Sequence, residues 1–414
     1  MPNNSQILDD RQLAKLTLPF LKARYSTDLA LQLVHSLILS MITEPGDRMA
    51  GALARCLGKA DLVSSLLSGL DTRRLVQELK SIQKLDALEQ QFGNIEAVLA
   101  DSRQRWLPRL TKSRLENLLL KSNSLDLALV IAEDDNWPLG LDDLQDAAPF
   151  ALFVDGIVEE LSNLDFAVSI VGSRACSQYG AQVTTSLVQE LAKVSRATVS
   201  GGAVGIDAHV HKTSIVCQLP TVAVMAGGLD RKYPKVNFGL FDRIKQQGAI
   251  VSELPPGVQP SRWRFLQRNR LIAAITKTTV VVEAGVRSGS IRTANNALEL
   301  DRELYAVPGS VLSNTSAGTN ALICEGKALA LSNLKEFASG VQSYETRFSE
   351  SALATRAQDA IRDLGFPNSS EIAKAAGLTS QELHIALNEL KTLDRIVERG
   401  SEKGSVHYAL KYAY

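Results

Sequence analysis

Three patterns of apolar and polar positions succeed one another along the 414 residues. From about Leu13 to Leu144 apolar residues recur at helical spacing among Lys, Asp and Glu, as in "LALQLVHSLILSMI" and "LVQELKSIQKLDALEQQFG", and almost nothing reads as a strand. Around Phe166 the pattern changes to short β-branched runs bounded by glycine-rich turns: "FAVSIVGSR", "ATVSGG", "TVAVMAGG", "GAIVSELP", "TTVVVEAG" and "ELYAVPG". Each run is followed by a helical or helix-starting stretch, so the alternation predicts βαβ units and a parallel sheet covered on both faces. Over residues 340–355 periodicity lapses and Ser, Thr and Glu accumulate, which predicts a linker. Beyond it "RAQDAIRDL", "SSEIAKAAG" and "TSQELHIALNELKTL" read as three helices, and "RIVERGSEKGSVHYAL" as a hairpin turning at Lys403-Gly404. That is the order of a winged helix. The expected organisation is a helical segment over 1–150, an α/β domain over 151–339, the linker, and a winged helix over 356–414.

Composition narrows the partners. Lys and Arg together number 45, as do Asp and Glu, so no global field announces nucleic acid or membrane, and any such site must be a local patch. The four cysteines show no metal spacing and are too few to staple a chain of this length, so reduced thiols are expected. The start "MPNNSQILDD" lacks the basic and apolar regions of a signal peptide, and no apolar run approaches the ~20 residues of a membrane span. A cytoplasmic protein with no membrane partner is expected.

The candidate chemistry gathers at the strand ends, where open parallel sheets bind ligands. "VGSR" places Gly172, Ser173 and Arg174 at the mouth of the first run; an Arg there suits phosphate because its planar fork donates bidentately, and it equally suits a salt bridge at a helix start. "SGGAVGID" brings Gly201, Gly202 and Gly205 to a helix N-terminus, where backbone can approach an anion. It is neither GxGxxG in register nor a Walker loop, so no dinucleotide, NTP or other cofactor is expected. His209 and His211 are two apart, a poor metal pair on a helix, so no metal is expected and His211 reads as a hydrogen-bonding core or site residue. Lys212 follows as a candidate phosphate contact or a solvated lysine. In "AGGLDRKYPKVN", Arg231, Lys232 and Lys235 surround Tyr233, a mixture that suits single-stranded nucleic acid; Asn237 reads foremost as the N-cap of the next helix. Between Leu254 and Val282 stand five basic residues, Arg262, Arg264, Arg268, Arg270 and Lys277, and no acid, with Trp263 and Phe265 alternating among the arginines. In a neutral chain that asymmetry calls for a partner. Ser288, Gly289 and Ser290 offer another anion-cradling helix start, and Glu283 ends the fifth run.

At these residues the chain resembles the DNA-processing protein A family, DprA or Smf. The resemblance runs in order through "VGSR.CSQYG", "SGGAVGID...HK", "GGLDRKYPKVN", "SELPPG..P", "FLQRNRLIA", "VVEAGVRSGSIRTA", "AVPGS" and "GTNALI.EG". It implies an α/β fold with an extended Rossmann-like parallel sheet, flanked by an N-terminal all-helical domain and a C-terminal winged helix. It implies a non-catalytic protein that binds and protects single-stranded DNA, loads the RecA recombinase in natural transformation and recombination, and forms a homodimer through the Rossmann-like domain. Carried over by motif, Arg174, Lys212, Lys235, Phe265, Arg268, Asn269 and Arg270 fall on the family's DNA-pocket segments. Backbone amides of the Gly201, Gly202 and Gly205 turn and of Ser288 to Ser290 would then bind phosphates. The family's "FPxRN" reads "FLQRN" here, with Leu266 for proline, and its "ExGR" reads "ELDR", with Asp301 for glycine.

Two other classes can be weighed. A phosphoribohydrolase-like enzyme would need a carboxylate at the strand mouths, where Glu283, Asp207, Asp230 and Glu253 are candidates, but the "PGGxGTxxE" arrangement of such hydrolases is missing. A winged-helix transcription regulator would read duplex DNA with "TSQELHIALNELK", yet Glu382 and Glu389 face a single Lys391 there. A docking or packing module is the better reading of that segment.

Overall fold

The computed structural model describes residues 27–69, 71–162, 164–340, 351–392, 395–400 and 406–411. It forms two compact units, Met1–Leu334 and Lys335–Tyr414. Among the described residues of the first, seven α-helices precede the α/β part: α1 (Thr27–Ile42), α2 (Arg48–Leu57), α3 (Lys59–Leu67), α4 (Thr72–Ser81), α5 (Leu85–Phe92), α6 (Ile95–Trp106) and α7 (Lys112–Ser124). The stretch "LVQELKSIQKLDALEQQFG" is two helices rather than one, broken where Gln83 adopts a left-handed φ of 57°. Leu33, Leu53, Leu79, Leu99 and Trp106 pack into the same buried cluster as Ala223, Phe241 and Ile250 of the α/β part. The packing therefore shows no break near residue 150: helical layer and sheet bury one another.

Two short strands at that seam escape the periodicity. β1 (Ala128–Val130) has three residues, too few to show an alternation, and β2 (Leu152–Gly156) follows it; they pair with each other antiparallel. The six runs expected from the sequence form β3 (Val168–Val171), β4 (Thr198–Ser200), β5 (Thr221–Val224), β6 (Ala249–Ser252), β7 (Thr278–Val281) and β8 (Glu303–Ala306), with β9 (Leu329–Ala330) at the edge. The strand order is β1-β2-β6-β5-β4-β3-β7-β8-β9. Strands β6 through β9 in that order are parallel, whereas β2 lies antiparallel on β6, so the sheet is mixed at one edge. The chain winds from β3 outward to β6, then returns to place β7 on the other side of β3. The topological switch, and with it the expected ligand crevice, lies at the carboxyl ends of β3 and β7.

The connecting helices are α8 (Gln178–Lys193), α9 (Ile206–Val216), α10 (Phe238–Ile244), α11 (Arg262–Ile275), α12 (Gly289–Glu299) and α13 (Ala317–Cys324). Local chemistry starts them: Ser177, Ser261 and Ser288 each accept a backbone N–H of the first turn of α8, α11 and α12. The second half of α11, Leu271–Ile275, is buried on every side, and Ser169 of β3 donates to the Ile272 carbonyl at 2.6 Å.

Among its described residues the second unit includes the helices Ala352–Leu364, Ser369–Ala376 and Ser380–Thr392, and the antiparallel pair β10 (Ile396–Gly400) and β11 (Val406–Leu410). Ala357, Ile361, Ile372, Leu387, Leu390 and Tyr408 form its core. The first helix begins at Ala352, inside the segment read as linker, because Ser351 caps it and Glu389 accepts from the Ser351 hydroxyl at 2.6 Å. The predicted turn at Lys403-Gly404 and linker residues 341–350 lie outside the described residues.

Where α9 meets the sheet, polar groups replace apolar ones. His211 is fully buried, with Nδ1 2.8 Å from the Thr221 hydroxyl; that hydroxyl is 2.8 Å from Thr198 Oγ1, itself 2.8 Å from Ser214 Oγ. The sequence reading of His211 as a hydrogen-bonded core residue describes this position. Burial, helped by the nearby Arg268 guanidinium, pushes its pKa down to about 3 from the usual 6.5. The folded-state value lies below the unfolded one, so this contribution to stability is complete above the unfolded value and is lost as pH falls through it towards the folded value. Denaturant unfolding of the wild type is expected to lose about 2 kcal/mol between pH 7 and pH 5 through this residue. A His211→Asn variant that shows the same pH slope would refute the assignment.

Candidate nucleic-acid interface

The loops beyond β3 and β4 are locked together by backbone. Ile206 N–H donates to the Ser173 carbonyl at 3.1 Å, and a side chain at Gly205, whose φ is +83°, would place Cβ 2.3 Å from that same oxygen. The Gly172 carbonyl accepts from Ser290 Oγ at 2.8 Å, which ties the start of α12 to the mouth of β3. Asn237 stands at the N-cap position of α10, as expected, but its side chain makes no capping hydrogen bond there. The turn Lys235–Asn237 runs directly into that helix, and the buried side chain instead donates to the carbonyls of Gly202 (3.0 Å) and Ala203 (3.2 Å).

Arg268 sits beneath this assembly, 5% exposed. It donates through Nη1 to the Gly201 carbonyl at 2.8 Å and to the Val224 carbonyl, and through Nε to Asn269 Oδ1 at 3.2 Å. Asn269 Nδ2 passes the connection on to the Gly289 carbonyl at 3.2 Å. Gly201 must be glycine here, since a Cβ would lie 2.6 Å from Arg268 Nη2. Burial lowers the Arg268 pKa to about 10, with Asp207 opposing and Arg174 adding to the shift, so the guanidinium stays charged at neutral pH.

The glycine-rich turn already holds an anion of its own. Asp207, buried in the first turn of α9, accepts from Ala203 N–H at 3.3 Å and from the Gly201 amide. Burial raises its pKa, while Arg268, those amides and Arg174 work against the rise. The glycines therefore supply shape and close approach, and their amides are in part spent on Asp207.

The exposed face above these groups is cationic. Arg174, Lys212 and Lys235 are exposed and form no ion pair among the described residues. Phe265 is half-buried: Arg174 Cζ lies 5.3 Å and Arg268 Cζ 5.8 Å from its ring centre, and the exposed Tyr233 meets it edge-on at 5.6 Å. Tyr233 thus joins the constellation, signalled in the sequence by its place among basic residues. Gly289 is open, while Ser288 Oγ caps its own helix and Ser290 is buried.

Other predicted cations lie elsewhere. Arg270 projects from a different face of α11 and pairs with buried Glu253 at 2.5 Å. Arg264 is forked onto Glu44, and Lys277 reaches Asp143 at 3.6 Å. In the loop before α10, Lys232 pairs with Asp155 at 2.6 Å and Arg231 with Asp230 at 3.4 Å. The acid-free stretch is in large part neutralised by the protein's own carboxylates. Among the described residues no group of three His, Cys, Asp or Glu is placed to hold a metal, and no helix is long and apolar enough to cross a membrane.

Removing Arg268 leaves two carbonyls and Asp207 buried without their cation. Arg268→Ala is expected to destabilise the fold by about 3 kcal/mol in denaturant titrations, with Arg268→Lys failing to restore it because a single ammonium cannot span both carbonyls and Asn269. Wild-type stability in either variant would contradict the geometry.

Comparison with known proteins agrees with this architecture. Residues 128–342 match the family model described as DNA recombination-mediator protein A. A DNA processing protein DprA from Streptococcus pneumoniae is 41% identical over 200 residues, covering 48% of this chain and 69% of the relative; one from Bacillus subtilis is 32% identical over 268 residues, covering 65% and 83%. The X-ray structure of DNA processing protein A from Streptococcus pneumoniae superposes with a TM-score of 0.56 at 30% identity, covering 74% of this chain and 96% of that one. The chain belongs to the DNA recombination-mediator protein A family, DprA or Smf.

Proposed function

We propose that the protein binds single-stranded DNA in the crevice at the carboxyl ends of β3, β4 and β7, protects it there, and hands it to the RecA recombinase during transformation or recombination. One observation carries this reading: Arg174, Lys212 and Lys235 are exposed and none is neutralised by a described residue, while Arg174 lies over the half-buried Phe265, which the exposed Tyr233 meets edge-on. Cations without acids suit a phosphate backbone, and aromatic faces suit unpaired bases. A crevice spanning several strand ends fits a polymer better than a single nucleotide.

The reading is non-catalytic. Each carboxylate that could serve a hydrolase is already engaged: Glu283 accepts from Ser177 N–H at 3.0 Å, Asp207 holds the glycine turn, Asp230 accepts from Gly257 N–H at 2.6 Å, and Glu253 pairs with Arg270. Cys176 is no better a nucleophile, because burial and then Glu283 push its thiol up to about 11. In the second unit the acids of the third helix act as local caps. Glu382 accepts from Thr379 N–H and Oγ at 2.8 and 2.7 Å, and Glu389 from Ser351. That favours a partner-docking role for the winged helix over groove reading. A homodimer formed through the Rossmann-like domain completes the proposal.

Anisotropy titration with dT oligomers is expected to show tighter binding than matched duplex and an affinity that falls steeply with salt. Arg174→Ala is expected to weaken dT binding by about 1–2 kcal/mol and reduce the salt slope by about one, without loss of thermal stability. Preference for duplex, or unchanged affinity in Arg174→Ala, contradicts the proposal.

A further inference from the structure

One cationic cluster lies outside the crevice. Between the helical layer and the sheet, a cavity of about 120 Å³ is lined by Arg109, Arg114 and Arg264, with Glu44 its one acidic lining residue. That is room for several waters or a phosphate group. Glu44 holds two of the guanidiniums, Arg109 at 2.8 Å and Arg264 at 3.1 Å, while exposed Arg114 forms no ion pair among the described residues. Three positive groups thus stand against one negative.

The helix ends around the cavity repeat the imbalance. The first turn of α7, capped by Thr111, carries Lys112 and Arg114 and no acid; the first turn of α11, capped by Ser261, carries Arg262 and Arg264 and no acid. Helix dipoles oppose cations at these positions, and an anion between the two ends reverses the sign of the interaction. Trp263, 45% exposed, stands between Arg262 and Arg264 and adjoins Phe265 along α11. Arg264 lines the cavity and Phe265 of the crevice follows it on α11, so one helix borders both.

We propose that this cavity is a second phosphate subsite, which takes a phosphodiester of the same single strand among Arg109, Arg114 and Arg264, with a neighbouring base against Trp263. This rests on the function proposed above and extends the strand's path onto the helical layer. Glu44 serves to aim the Arg109 and Arg264 forks.

The test is anisotropy with dT oligomers of about six and about twenty nucleotides, one inside and one beyond the span of a single site. Arg114→Glu is expected to weaken the longer oligomer roughly five- to tenfold and lower its salt slope by about one, leaving the shorter unchanged. Trp263→Ala, which changes no charge, is expected to weaken the longer oligomer and keep the slope. Unchanged long-oligomer affinity in both variants, with Arg174→Ala still impaired, overturns the subsite and spares the crevice; absence of binding by the wild type at either length overturns the function itself. If inorganic phosphate raises the melting temperature of the wild type but not of Arg114→Glu, while the longer oligomer binds both equally, the cavity takes a free anion and the strand assignment is overturned.

Discussion

The crevice depends on burying one positive charge. Arg268 is withdrawn from water and held by two main-chain carbonyls, Asn269 and the field of Asp207. A buried guanidinium costs several kcal/mol unless its donors are met, so the loops that meet them cannot be arranged freely. The carbonyl ends of β4 and β5 must point inward to Arg268, and Gly201 must lack a Cβ. Asn269 carries the same constraint to Gly289 at the start of α12. Two strand ends and three helices are thereby registered around a single side chain.

That internal cation also shapes what lies above it. Phe265 is one turn back on α11, and both Arg268 and Arg174 lie over its ring. The ring's π system attracts both like charges. Arg174 is thereby presented at the surface, while Asp207 pairs electrostatically with the buried cation and occupies part of the glycine turn's amides. A neutral protein acquires a cationic crevice by turning its acids inward to structural work and leaving selected cations unmatched.

The same economy explains the helical layer. Glu44, Asp143 and Asp155 stand far from the basic motifs in sequence yet neutralise Arg264, Lys277 and Lys232 in space. Helical layer and α/β part are bound through the Glu44–Arg264 pair as well as through their shared apolar core. Cations of α11 are consequently divided by helix face: Arg268 supports the loops, Arg270 and Arg264 meet the acids Glu253 and Glu44, and Arg262 remains exposed.

Much of this was legible in the chain itself. The β-branched runs and the glycines after them announced β3 to β8 and their strand-end loops, because strand propensity and positive φ are local properties. The motifs from "VGSR" to "VVEAGVRSGS" fall in the loops at those strand ends for the same reason. Tertiary structure alone decided which of the named residues face outward. Arg174, Lys212 and Lys235 are exposed, whereas Arg268, Asn269, Arg270 and Asn237 are buried and hold the walls. Periodicity could not foresee β1 and β2, which owe their existence to pairing with β6 and with each other. Nor could charge counting foresee that two cations of the acid-free stretch, Arg264 and Lys277, find their counter-ions more than a hundred residues away. Sequence spacing determines which side chains share an element, but burial and ion pairing depend on what that element is packed against.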